Sequence, residues 1–139
     1  MTSPGKINVL ADVGYPQPVP ISELGDGVKQ AINVLLPIPQ LQDGILLCDE
    51  IAVGIHSSKL HEFVRQLAWI AKKYNCQVIA TTHSYELLVA AHEAFSADDM
   101  NPDDLAYIRL DRIDDGSISP TRFDYHSLGG AITENWEVR

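Results

Sequence analysis

An α/β fold built on parallel strands is what this sequence predicts, and three observations carry the prediction. Ile45-Leu46-Leu47-Cys48 is a continuous apolar run that ends in Asp49-Glu50, and Val78-Ile79-Ala80 is a second that ends in Thr81-Thr82-His83-Ser84. Between them lies a stretch with helical spacing of its apolar residues. Unbroken hydrophobicity suits strands buried on both faces of a parallel sheet. Polar residues just past the C-terminal ends of such strands stand where open α/β sheets bind their ligands.

The elements follow in order. Ile7 to Val13 reads as a strand, and Gly14-Tyr15-Pro16-Gln17-Pro18-Val19-Pro20 as an extended, proline-stiffened connection. Val28, Ala31, Ile32, Leu35 and Leu36 recur at helical spacing until Pro37, which cannot continue the hydrogen-bond ladder. Ile45 to Asp49 is the next strand. Ser57 or Ser58 is a candidate cap for a helix carrying Leu60, Phe63, Val64, Leu67, Ala71 and Tyr74 on one stripe. Gln77 to Thr82 is a strand, and Ser84 a cap for a helix over Tyr85 to Phe95. After an acidic loop at 98–104 the period changes to two: Ala106, Ile108 and Leu110 alternate with Tyr107, Arg109 and Asp111. Asp115-Gly116 then turns the chain into a second hairpin strand, Ser117 to Phe123. A short helix over Tyr125 to Trp136 closes the pattern.

Composition narrows the function classes. The chain has 139 residues, 45 % apolar and 21 % charged, within the range of one globular domain. Its formal net charge of −9 argues against direct binding to nucleic acid or to an anionic membrane, both of which need a positive field. The longest apolar region, Ala31 to Pro39, is too short to span a bilayer, and no signal-peptide pattern occurs, so a cytoplasmic location is expected. Cys48 and Cys76 lack metal-site spacing and are expected to be reduced thiols at opposite ends of their strands.

Three clusters carry candidate chemistry. Asp49 and Glu50 stand at a strand end, where the first can hold Mg²⁺ and the second can polarise a water. The same pair also reads as the polar start of a loop. Leu24-Gly25-Asp26-Gly27 precedes a helix, whose free N–H groups and positive end suit a phosphate. His83, at the end of the second apolar run, can reach a terminal phosphate or serve as hydrogen-bonded structure beside a helix cap.

The order of these clusters, glycine turn, apolar strand with Asp-Glu, Gly54-Ile55-His56-Ser57, helix, apolar strand with Thr-His-Ser, resembles the C-terminal half of an ABC-type P-loop ATPase. It is most similar to the AAA-family ATPases grouped with overcoming-lysogenization-defect and structural-maintenance-of-chromosomes proteins. The resemblance implies an incomplete three-layer sheet flanked by helices with a C-terminal β-hairpin, residues 1–20 being a strand and connection and 21–139 the half-domain. It sets Gly25, Asp26 and Gly27 at the signature motif as nucleotide-binding residues and Ile45 to Glu50 at Walker B. Asp49 is then the metal ligand, Glu50 the catalytic base, residues 54–57 the D-loop and His83 the switch histidine. Glu137-Val138-Arg139 resembles the close of such domains. ATP and Mg²⁺ are the implied cofactors.

No Gly-x-x-x-x-Gly-Lys-Ser/Thr occurs in these residues, so the phosphate cradle and its lysine are lacking here. In the family the P-loop strand lies beside the switch-histidine strand, which leaves the edge of Gln77 to Thr82 to be paired by Ala106 to Leu110, by Ile7 to Val13, or by another chain. Two functions follow. One is an ATPase half that hydrolyses ATP only when a P-loop is supplied by a partner or by a missing segment, the expected partners being a second copy or a P-loop-containing ATPase chain. The other is a non-catalytic interaction or regulatory module derived from an ATPase.

Overall fold

The computed structural model describes residues 9–134. Ile7, Asn8, Trp136 and Glu137-Val138-Arg139 lie outside them. Strand β1 (Leu10–Ala11) pairs antiparallel with β2 (Val19–Pro20), followed by helix α1 (Asp26–Leu35), β3 (Ile45–Cys48), α2 (Ser57–Lys73), β4 (Gln77–Ala80) and α3 (Tyr85–Phe95). A hairpin of β5 (Ala106–Arg112) and β6 (Ile118–Asp124) leads into α4 (Tyr125–Thr133). Among the described residues of the expected first strand, Ile7 to Val13, the pairing covers Leu10–Ala11. Its partner segment carries Pro16, Pro18 and Pro20, which have no N–H to donate.

The predicted parallel pair is present: Ile45, Leu46, Leu47 and Cys48 lie opposite Gln77, Val78, Ile79 and Ala80. Helix α2 makes the connection between them. Its cap differs from the expected serine: the His56 side chain accepts the Ser58 N–H at 3.2 Å, and Ser58 Oγ lies 3.0 Å from the same ring nitrogen. The imidazole reaches the free N–H two residues on, so both serines fall inside the helix. Ser84 caps α3 as expected, accepting the Leu87 N–H at 3.0 Å.

Most of the core lies on one side of β3 and β4. Leu46, Cys48 and Val78 pack on Val34 of α1, Leu60, Phe63 and Val64 of α2, and Leu87, Ala90 and Ala94 of α3. The buried side of α1 runs through Ala31, Val34 and Leu35, whereas Val28 and Leu36, at the margins of the expected stripe, are exposed. A second cluster joins α3 to the hairpin and α4 through Leu88, Phe123, Leu128 and Ala131. Helix α3 therefore serves both clusters.

The expected sheet flanked on both faces is not formed. The described residues make three separate two-stranded sheets, and β4 pairs with neither β5 nor β1. Ile45, Leu47 and Ile79, on the face of β3–β4 away from the helices, are 56 %, 73 % and 51 % exposed. On the hairpin, Tyr107 and Phe123 face inward while Ile108, Leu110 and Ile118 are exposed. Nothing among the described residues covers these two faces, although β3–β4 has the continuous apolar composition of strands covered twice, whereas the hairpin alternates. Cys48 and Cys76 are both free, as their places at opposite ends of β3–β4 require. Among the described residues no helix is long and apolar enough to cross a membrane.

Candidate functional site

The C-terminal ends of β3 and β4 stay joined after the regular pairing stops. Thr81 N–H donates to the Cys48 carbonyl at 2.9 Å, and Ile51 N–H donates to the Thr81 carbonyl at 3.1 Å. Ile51 is buried in the core, which anchors the loop that Asp49 and Glu50 begin. Glu50 turns the chain with a φ of 49°, in the left-handed region that L-residues seldom adopt. Its N–H donates to Thr81 Oγ1 at 2.9 Å, and the Thr81 hydroxyl donates to Asp49 Oδ1. From α1, Gln30 Nε2 donates to the carbonyls of Ile51 at 3.2 Å and Glu50 at 3.5 Å.

This turn sends the Glu50 side chain toward the other strand end, where its Oε1 lies 3.2 Å from His83 Nε2. The His83 side chain is 95 % exposed and that of Glu50 37 %, so the pair is open to a ligand from solvent. The structure thus brings Glu50 and His83 together, with Asp49 beside them through Thr81.

The glycine turn meets the same loop from the other side. Gly25 immediately precedes α1, whose positive end already carries Asp26, itself 3.2 Å from Lys29. A Cβ on Gly25 would meet nothing within 4 Å, whereas one on Gly27 would stand 2.6 Å from the Gly54 carbonyl oxygen. Gly27 is therefore required by the close approach of α1 to Gly54, which itself has a φ of 76°. Gly27→Ala is expected to destabilise the fold by about 2 kcal/mol, because the overlap with fixed backbone outweighs the roughly 1 kcal/mol that alanine gains in a helix. Gly25→Ala, which meets no clash but puts a poor capping residue at the N-cap, should cost less, about 0.5–1 kcal/mol. Denaturant unfolding of the two variants measures the contrast, and equal stabilities would show that the loop gives way.

Among the described residues no group of three or more His, Cys, Asp or Glu is placed to hold a metal ion. Asp49 alone fits a hard cation that draws its remaining ligands from phosphate and water, which is how Mg²⁺ is commonly held at nucleotide sites. The thiol of Cys48 is pushed up from its ordinary value by burial and then by the charge of Asp49, so it is a poor nucleophile at neutral pH.

Sequence reasoning missed two residues here. Thr81 was legible only through register: the pairing of Cys48 with Ala80, carried one step further, sets Thr81 beside Asp49. Gln30 carried no local signal, since its contact spans twenty residues of chain.

Comparison with known proteins adds the family. Residues 6–90 match the family model described as "AAA domain, putative AbiEii toxin, Type IV TA system". An uncharacterized protein of Methanocaldococcus jannaschii is 37 % identical over 65 residues, which are 47 % of this chain and 57 % of that protein. A solved structure from work on ATP-driven dimerization and DNA-stimulated activation of SMC ATPases superposes with a TM-score of 0.60 at 15 % identity. The superposition covers 94 % of this chain and 73 % of that one.

Proposed function

Because this chain belongs to the AAA-domain family, we propose that it is the Walker B-bearing half of an ATP-hydrolysing site, active when a P-loop is supplied from outside these 139 residues. The observation that carries the reading is the 3.2 Å approach of Glu50 to His83 at the ends of two adjacent parallel strands. A carboxylate and an imidazole there face solvent from the position where α/β sheets bind nucleotides.

In the completed site Asp49 would hold Mg²⁺ with its free oxygen, and the ion would supply charge stabilisation to the phosphate. Glu50 orients the attacking water and accepts its proton. His83 contacts the terminal phosphate, having exchanged its hydrogen bond to Glu50 for one to the phosphate oxygen. Gly25 and Asp26, at the open end of α1, belong to the signature face, which in this reading meets nucleotide across an interface with a second copy or with a P-loop-bearing ATPase chain. The dimerization described for the SMC ATPases supports an assembled site. So do the exposed apolar faces of β3–β4 and of the hairpin.

Those faces also favour a second reading, an interaction module that keeps the fold without turnover. Titration with Mg-ATP is expected to give weak binding or none by the isolated chain, since cradle and lysine are lacking. Stoichiometric micromolar affinity, about −8 kcal/mol, would overturn that expectation. Supplying a Walker A-bearing segment and measuring phosphate release then separates the readings: turnover supports the ATPase half, and binding of the segment without turnover supports the module.

A further inference from the structure

We propose that Thr81 is the positioning residue of the Asp49–Glu50 pair, one hydroxyl fixing both acidic residues. For its catalytic consequence the inference rests on the ATPase reading above. Both capacities of that hydroxyl are in use: it donates to Asp49 Oδ1 and accepts the Glu50 N–H at 2.9 Å. Its backbone is also committed on both sides, to the Cys48 carbonyl and the Ile51 N–H. The neighbouring Thr82 does something else, accepting the Ser84 N–H at 3.0 Å within its own loop.

The bond to Asp49 engages one lone pair of Oδ1 and leaves Oδ2 for a cation, which orients the carboxylate. The bond from Glu50 N–H helps hold that residue at a φ of 49°, a conformation that costs free energy and persists only where its surroundings enforce it. Gln30 acts on the carbonyl side of the same residue, so Glu50 is held at both its N–H and its C=O. Loss of the hydroxyl frees the N–H to water and lets the turn relax toward ordinary φ. The carboxylate then swings away from His83, and a displacement of about 1 Å at a reacting group is enough to cost roughly 100-fold in rate.

The test compares Thr81→Val, which removes the hydroxyl at nearly constant shape, with Thr81→Ser, which keeps it. Amide hydrogen exchange on the isolated chain reads the structural half. In Thr81→Val the Glu50 amide should exchange about five- to tenfold faster, the loss of one hydrogen bond. The Ile51 amide, bonded to the Thr81 carbonyl, should be unchanged, and Thr81→Ser should resemble wild type at both. In the chain completed by a Walker A-bearing segment, Thr81→Val should lower kcat about 10- to 100-fold with little change in KM for ATP, and Thr81→Ser should restore it. Unchanged Glu50 exchange in Thr81→Val, or a serine variant as impaired as valine, overturns the proposal. If valine prevents folding, Thr81→Ala read against Thr81→Ser carries the same comparison. Failure of the completed wild type to turn over would count against the ATPase reading, while the exchange data would still decide whether Thr81 holds Glu50.

Discussion

Glu50→Gln is expected to lower ATP turnover by the completed protein by about 10²- to 10⁴-fold, the usual contribution of a general base, while leaving nucleotide affinity within a few-fold of wild type. The substitution is nearly isosteric. It keeps the backbone N–H that donates to Thr81 and the carbonyl that accepts from Gln30, so the turn at residue 50 has no reason to move. The amide oxygen can still accept from His83 Nε2, which lies 3.2 Å from the carboxylate in the native chain. What disappears is the negative charge and the ability to take a proton from water. His83→Ala, which removes a contact to phosphate and leaves the base, should cost less, about tenfold. Phosphate-release kinetics together with nucleotide titration check both. Undiminished turnover in Glu50→Gln would reduce the Asp-Glu pair to the polar end of a buried strand.

Much of this arrangement was legible in the residues, for identifiable reasons. Continuous apolar runs ending in polar residues located β3 and β4, and the helix between them forced a parallel pair, which set Glu50 and His83 at the same sheet end. Ser84 as a cap and Asp115-Gly116 as a turn were equally readable, because each rests on chemistry within three or four residues. The His56 cap was less so: two serines follow it, and only three-dimensional geometry shows that the imidazole reaches the free N–H first. Gly27 looked like a phosphate-facing glycine, yet the reason it lacks a side chain is Gly54, on a loop that sequence spacing does not bring near. The split into small sheets was illegible for a related reason. Ile45, Leu47 and Ile79 have the composition of a covered face, and periodicity records what a face requires without saying which polypeptide covers it.

That uncovered face gives the last expected result: Leu47→Glu should weaken association with the completing element by at least about 100-fold while changing the isolated chain's stability by no more than about 0.5 kcal/mol. Leu47 is the most exposed of the three residues, at 73 %, so the isolated fold gains little from it. Burying a leucine side chain contributes about 1.5–3 kcal/mol, and forcing an unpaired carboxylate into the same contact adds a desolvation penalty. The two terms act in the same direction, and neither operates until a partner arrives. Leu46→Glu is the control: its side chain points the other way, onto the helical core, so it should unfold the chain outright. Sedimentation over a range of concentrations, with and without a Walker A-bearing segment, measures the difference. Association that survives Leu47→Glu would shift the contact to the open turn at Gly25 and Asp26, because the far face of β3–β4 cannot bury an unpaired charge at its centre and still bind.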